Sequence, residues 1–177
     1  MRLFIAINFD EDTKKNMLAV QQRLKAWGKG SFSRPENLHL TLAFLGEVAA
    51  ERVGEIQSIL DQLNVPRLRL LFDHVGYFQR RDGDIWWIGL EHNQGLFALQ
   101  KVLHQLLTAA GFPLDNRPFS PHVTLARRVR LHREPDKNQL LGTPFTTTAD
   151  TVSLMLSERV DGKLTYTELY SVTGGSR

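Results

Sequence analysis

The stretch Asn37-Leu38-His39-Leu40-Thr41-Leu42-Ala43-Phe44-Leu45-Gly46 has a near copy in Phe119-Ser120-Pro121-His122-Val123-Thr124-Leu125-Ala126-Arg127. His122 lies 83 residues after His39, and that shift keeps working outside the motif. It lays Phe4-Ile5-Ala6-Ile7 on Trp87-Ile88-Gly89-Leu90, Val20 on Leu103, Leu24 on Leu107, Gly28 on Gly111 and Arg34-Pro35 on Arg117-Pro118. No gap is needed from the first of these segments to the motif. Chance can match a tripeptide. It is a poor account of a strand, a helix stop, an Arg-Pro and a His-x-Thr-Leu-Ala in one register, so the chain reads as an internal duplication.

Working outward, residues 2–9 alternate as a strand, and Asp10 with Asp12-Thr13 supplies N-cap chemistry. Residues 11–26 carry Met17, Val20, Leu24 and Trp27 at helical spacing, with Gly28 and Gly30 as the stop. Ser31 to Asn37 reads as a polar loop and 38–45 as a strand. Residues 48–63 read as a helix ended by Pro66, and 93–110 as an amphipathic helix ended by Gly111. A strand comes next, from Pro121 to about Arg128, then a loop or short helix over 131–144. Residues 67–78 with 84–91 read as a hairpin, and 145–157 with 163–172 as another, turning at Asp161-Gly162. The tail Gly174-Gly175-Ser176-Arg177 reads as frayed. One domain over 1–177 is expected, built of two pseudo-symmetric lobes. The first motif half covers about 1–66, the second about 84–144, and the hairpins are 67–91 and 145–172.

Composition removes several function classes. With 177 residues and 42% hydrophobic side chains, the chain can bury a proper core. No run approaches the roughly 18 apolar residues of a membrane span. The apolar start Met1-Arg2-Leu3-Phe4-Ile5-Ala6-Ile7 is short and strand-like, so it is not read as a signal peptide. Cysteine is absent, which excludes disulfides, thiolate nucleophiles and Cys-based zinc sites. A cytoplasmic location is the default expectation. The net charge of +3 leans only mildly toward anionic partners. Its distribution says more: Arg127, Arg128, Arg130 and Arg133 come directly after the second motif, and arginine's planar fork suits phosphate. Taken alone, such a cluster is most often a solvated loop.

A duplicated unit packs about a pseudo-two-fold axis, which brings His39 and His122 to one cleft. Strand alternation puts His39, Thr41 and Ala43 on one wall and His122, Thr124 and Ala126 on the other. The same alternation points Arg128 and Arg130 inward as candidate substrate contacts. Phe9 falls on His92 under the shift and is a further candidate at the rim. Two imidazoles across a cleft suit phosphodiester chemistry, in which a base deprotonates the attacking oxygen and an acid protonates the leaving one. Threonine hydroxyls can hold the non-bridging oxygens. The scheme needs no metal and no cofactor, and the sequence has no H-E-x-x-H and no P-loop. One His-x-Thr alone would be an ordinary half-buried strand histidine. Two in register within a duplication carry the reading.

With its flanks, the paired motif resembles the 2H phosphoesterase superfamily, and within it the bacterial RNA 2′,3′-cyclic phosphodiesterase branch (LigT or ThpR type, also called 2′-5′ RNA ligase). The resemblance covers essentially the whole chain. It implies a bilobal α+β fold with a central cleft between two antiparallel sheets and helices on the outer faces. It implies metal- and ATP-independent hydrolysis of RNA 2′,3′-cyclic phosphate ends to 2′-phosphates, with reversible 2′-5′ ligation. Carried over, His39 is the proton donor, His122 the proton acceptor, and Thr41 and Thr124 bind phosphate. The residues alone do not orient the pair, because the halves are too alike. The expected partner is RNA with a 2′,3′-cyclic phosphate end, tRNA halves being one source, and the expected state is a monomer. Two alternatives stay open: action on a small cyclic phosphate, and an RNA-binding module of this fold without turnover.

Overall fold

The computed structural model describes residues 1–174, so the expectation for Gly175-Ser176-Arg177 lies outside it. Strand β1 (Arg2–Asn8) buries both faces: Leu3, Ile5 and Ile7 join the main core, while Phe4 and Ala6 join a small cluster with Met155. Helix α1 (Glu11–Lys25) starts at Asp10, whose carboxylate accepts the Thr13 N–H at 2.8 Å. This cap satisfies one of the donors that a helix start leaves free. Met17, Val20 and Leu24 then turn one stripe to the core. Strand β2 (Gly28–Phe32) leads to β3 (His39–Glu47), α2 (Val53–Asp61), β4 (Leu68–Phe78) and β5 (Asp84–Leu90). Helix α3 (Gln94–Ala109), capped by Asn93, buries Leu96, Leu99, Leu103 and Leu107. The chain ends with β6 (His122–Leu131), α4 (Lys137–Leu141), β7 (Phe145–Ala149), β8 (Thr151–Val160) and β9 (Lys163–Thr173).

The nine strands of the described residues form one antiparallel sheet in the order β7-β4-β5-β6-β3-β1-β8-β9, with β2 beside β6. The order is a palindrome about the β6–β3 step. There β6 answers β3, β5 answers β1, β4 answers β8 and β7 answers β9. The central step holds by one residue pair, Leu40 with Val123, both fully buried. The molecule therefore has two antiparallel half-sheets meeting at a narrow seam. The helices bury their apolar stripes in the core behind them.

Two local expectations are corrected. Residues 28–32 are a strand, not a helix stop and loop. A Cβ on Gly28 would collide with the Arg130 carbonyl, and one on Gly30 would sit 2.9 Å from the Val129 side chain. These glycines allow close approach to β6, a requirement that a propensity reading mistakes for punctuation. Gly28→Val is expected to destabilise the fold by about 1–3 kcal/mol, as overpacking does. An unchanged thermal midpoint would contradict the close approach. Second, residues 145–157 are two strands broken at Asp150. β7 pairs with β4 in one half-sheet, while β8 pairs with β1 in the other. The β8–β9 hairpin thus completes the half-sheet of the first motif, and β4 completes that of the second. A continuous run of strand formers gives no sign of this crossing.

Candidate active site

The seam places the two motifs together. Antiparallel pairing at Leu40–Val123, extended by one residue, sets His39 opposite Thr124 and Thr41 opposite His122. Opposed residues share a face. With Leu40 and Val123 pointing into the core, both histidines and both threonines lie on the opposite, cleft-side face of the strands. This cleft side is a cavity of about 460 Å³ lined by Thr41, Phe44, Phe78, His122, Thr124 and Arg127, and closed by residues 114–120.

The imidazoles are held alike. His39 Nδ1 lies 2.8 Å from the Asn37 carbonyl, and His122 Nδ1 lies 2.7 Å from the Ser120 carbonyl. A carbonyl only accepts, so each Nδ1–H donates, and Nε2 is the unprotonated nitrogen of the neutral ring. His39 Nε2 is 2.9 Å from Thr41 Oγ1, which donates to it in that state. His39 does not itself line the cavity; it stands behind Thr41, against Phe4 at 4.8 Å and Tyr166 at 5.1 Å. His122 has Phe78 at 5.2 Å and Trp87 at 6.0 Å. Phe4 and Trp87 are equivalent under the duplication, so each histidine has an aromatic wall from the neighbouring strand.

Those walls set the protonation states. Burial pushes the His39 pKa down to about 4, assisted by Arg127 and His122, while the bond to the Asn37 carbonyl resists. Burial also lowers His122, again with Arg127 assisting and the Ser120 carbonyl resisting. Both shifts favour the neutral ring.

Other expected residues fall elsewhere. Ala43 and Ala126 both belong to the core cluster, paired with Ile5 and Trp86; Ala43 also lines the cavity as expected, and Ala126 does not. The cause is a bulge: β3 has one extra residue at Leu42 against β1, and β6 one at Leu125 against β5. These bulges are equivalent under the 83-residue shift. Each reverses the facing of the residues directly after it, until in β6 a second shift against β5 returns Val129 to the core. Phe44 and Arg127 therefore come round to the cleft, and Arg128 does not. Arg128 adopts φ 53 and reaches Asp82 at 4.0 Å, while Arg130 lines a separate cavity. Phe9 is also corrected: it is 8% exposed and packs edge-on against Phe72 at 5.6 Å. Sequence reasoning missed Arg127, Phe78 and the role of Trp87. The alignment of Trp87 with Phe4 was the available signal for the last. Arg127→Ala is expected to raise the KM for a phosphate-bearing substrate about tenfold or more, as loss of a charge-assisted contact does, and Arg128→Ala to leave it nearly unchanged. Equal effects would overturn the bulge assignment.

Two neutral imidazoles paired with two hydroxyls and an arginine define the 2H type of phosphoesterase site. The chain belongs to the 2′-5′ RNA ligase superfamily, whose model matches residues 13–161. It is 35% identical to an RNA 2′,3′-cyclic phosphodiesterase of Thermotoga maritima over 77% of this chain and 73% of that protein. It is 32% identical to the RNA 2′,3′-cyclic phosphodiesterase of Escherichia coli over 71% of each. The crystal structure of E. coli LigT complexed with 3′-AMP matches at a TM-score of 0.84 and 27% identity, covering 98% of this chain and 97% of that one. No helix among the described residues is long and apolar enough to cross a membrane.

Proposed function

We propose that this protein hydrolyses the 2′,3′-cyclic phosphate end of RNA to a 2′-phosphate, and that the same site joins that end reversibly to a 5′-hydroxyl through a 2′-5′ linkage when the hydroxyl replaces water. The observation that carries the reading is the pair of matching imidazoles in one cleft, each with Nδ1 tied to a carbonyl. The relatives' names supply the substrate class.

In the forward step His122 accepts a proton from water as its oxygen attacks phosphorus. His39, protonated, gives its proton to the departing 3′-oxygen as the P–O3′ bond breaks. His122 is the more open of the two, which suits the partner that meets water. Thr41, Thr124 and Arg127 hold the phosphoryl oxygens, so the charge that builds there meets donors already in place. His39 has to gain its proton despite its aromatic surroundings. The anionic phosphate arriving beside it offsets both the burial and the Arg127 charge. Ligation keeps the roles, with a 5′-hydroxyl taking the place of water before His122 and the 3′-oxygen again leaving with the proton of His39; cleavage of the 2′-5′ bond is its reverse and exchanges them.

The test is hydrolysis, in EDTA, of an oligoribonucleotide ending in a 2′,3′-cyclic phosphate. Release of a 2′-phosphate is expected. Folded protein that leaves this substrate intact but turns over a small cyclic phosphate would redirect the reading, and one that binds RNA without turnover would replace it.

A further inference from the structure

Beside the catalytic cavity lies a second one of about 440 Å³, and Arg80 lines both. Its guanidinium stands over the Phe78 ring at 5.6 Å, and Phe78 in turn abuts His122. From Arg80 the second cavity runs past Tyr77 to Arg130 and Arg133. Lys29, register partner of Arg130, and Lys137, 5.2 Å over the Tyr77 ring, flank it. These five cations are exposed, and among the described residues none forms an ion pair with a carboxylate. The two carboxylates on the lining are Asp84 and Glu134, and Asp84 already accepts the Arg80 backbone N–H at 3.2 Å. Unpaired arginines along a groove continuous with a phosphate-handling cleft favour a phosphodiester backbone over a protein partner.

We infer that this groove carries the RNA strand on the 5′ side of the cyclic end. The inference rests on the reading of the cleft as a cyclic-phosphate site. With the terminal phosphate between the two motifs, the strand leaves past Arg80, and its internal phosphates meet Arg130 and Arg133. A second register shift of β6 against β5, where Arg128 takes φ 53, returns Val129 to the core and turns Arg130 outward onto this track. Because these contacts go to phosphates, they raise affinity for length and not for base sequence.

The experiment compares wild type with the double variant Arg130→Glu/Arg133→Glu. One readout is binding of a 5′-labelled decaribonucleotide carrying a 2′-phosphate, as a function of salt. The other is turnover of a nucleoside 2′,3′-cyclic phosphate. Wild type is expected to bind the decamer at least tenfold more tightly than the variant at low salt. Its plot of log affinity against log salt should be steeper by about 1–2, at roughly 0.7 per phosphate contact on a single strand. Mononucleotide turnover should stay within about twofold, since neither arginine touches the cleft. Equal decamer affinity in both proteins would overturn the groove, as would an equal loss on the mononucleotide. Absence of mononucleotide turnover in wild type that keeps salt-dependent decamer binding would overturn the catalytic reading and leave the groove standing.

Discussion

His39→Ala and His122→Ala each lower the rate of cyclic phosphate hydrolysis by about 10²–10⁴-fold, the range associated with one positioned proton transfer. The double variant is expected to be little slower than the worse single one. The reason is geometric: one ring takes the proton from the attacking oxygen and the other gives one to the leaving oxygen, within a single displacement at one phosphorus. Either ring without its complement contributes little, so the losses do not add. Stability should change far less than activity. Each imidazole makes one bond to a carbonyl two residues upstream and lies against aromatic rings on the cleft side, outside the main core cluster. Rates and thermal midpoints measured on the same preparations separate the two effects. A single variant that keeps a tenth of the wild-type rate while staying folded would sink the two-histidine mechanism.

The duplication was legible because it is written in side chains: a His-x-Thr-Leu-Ala twice, with Arg-Pro and apolar helix positions in register. That sufficed for the α+β class, the helices α1 and α3, and the convergence of the four motif residues. What stayed hidden is written in backbone. The bulges at Leu42 and Leu125 fall on ordinary strand residues with no glycine to mark them, so simple alternation placed Ala126 in the cleft and chose Arg128 over Arg127. The two errors are one error, since an extra residue reverses the side chains that follow it up to the next shift in register. The crossing at Asp150 was hidden for a related reason. Which sheet edge a strand joins depends on its partners, and the run Thr146–Met155 looks the same whether or not it changes sheets. Phe9 was chosen from its alignment with His92, but its ring belongs to the core with Phe72.

The pH dependence of kcat/KM arises from the same walls that hold the rings. In the free protein both histidines have pKa values below their ordinary 6.5, with His39 near 4. Burial is the first cause for each, because it penalises the imidazolium; the Arg127 charge acts in the same direction. Hydrolysis needs one ring protonated and the other neutral, whereas near neutral pH the free site holds both neutral. The protonated fraction of a group whose pKa is lowered falls about tenfold for each pH unit above that pKa. Since kcat/KM reports the free enzyme, its profile should peak on the acid side of 6.5 and decline through neutrality. The cyclic diester keeps a single negative charge over this range, so the decline belongs to the protein. Arg127→Gln removes the shared cation and should move the whole profile to higher pH while weakening substrate binding. These two consequences have opposite signs at pH 8, where the variant gains working protonation as it loses grip on phosphate. The position of the profile therefore reads the electrostatic effect separately from affinity. A wild-type optimum above pH 8, or a variant profile that does not move, would mean that burial and Arg127 do not govern these two rings.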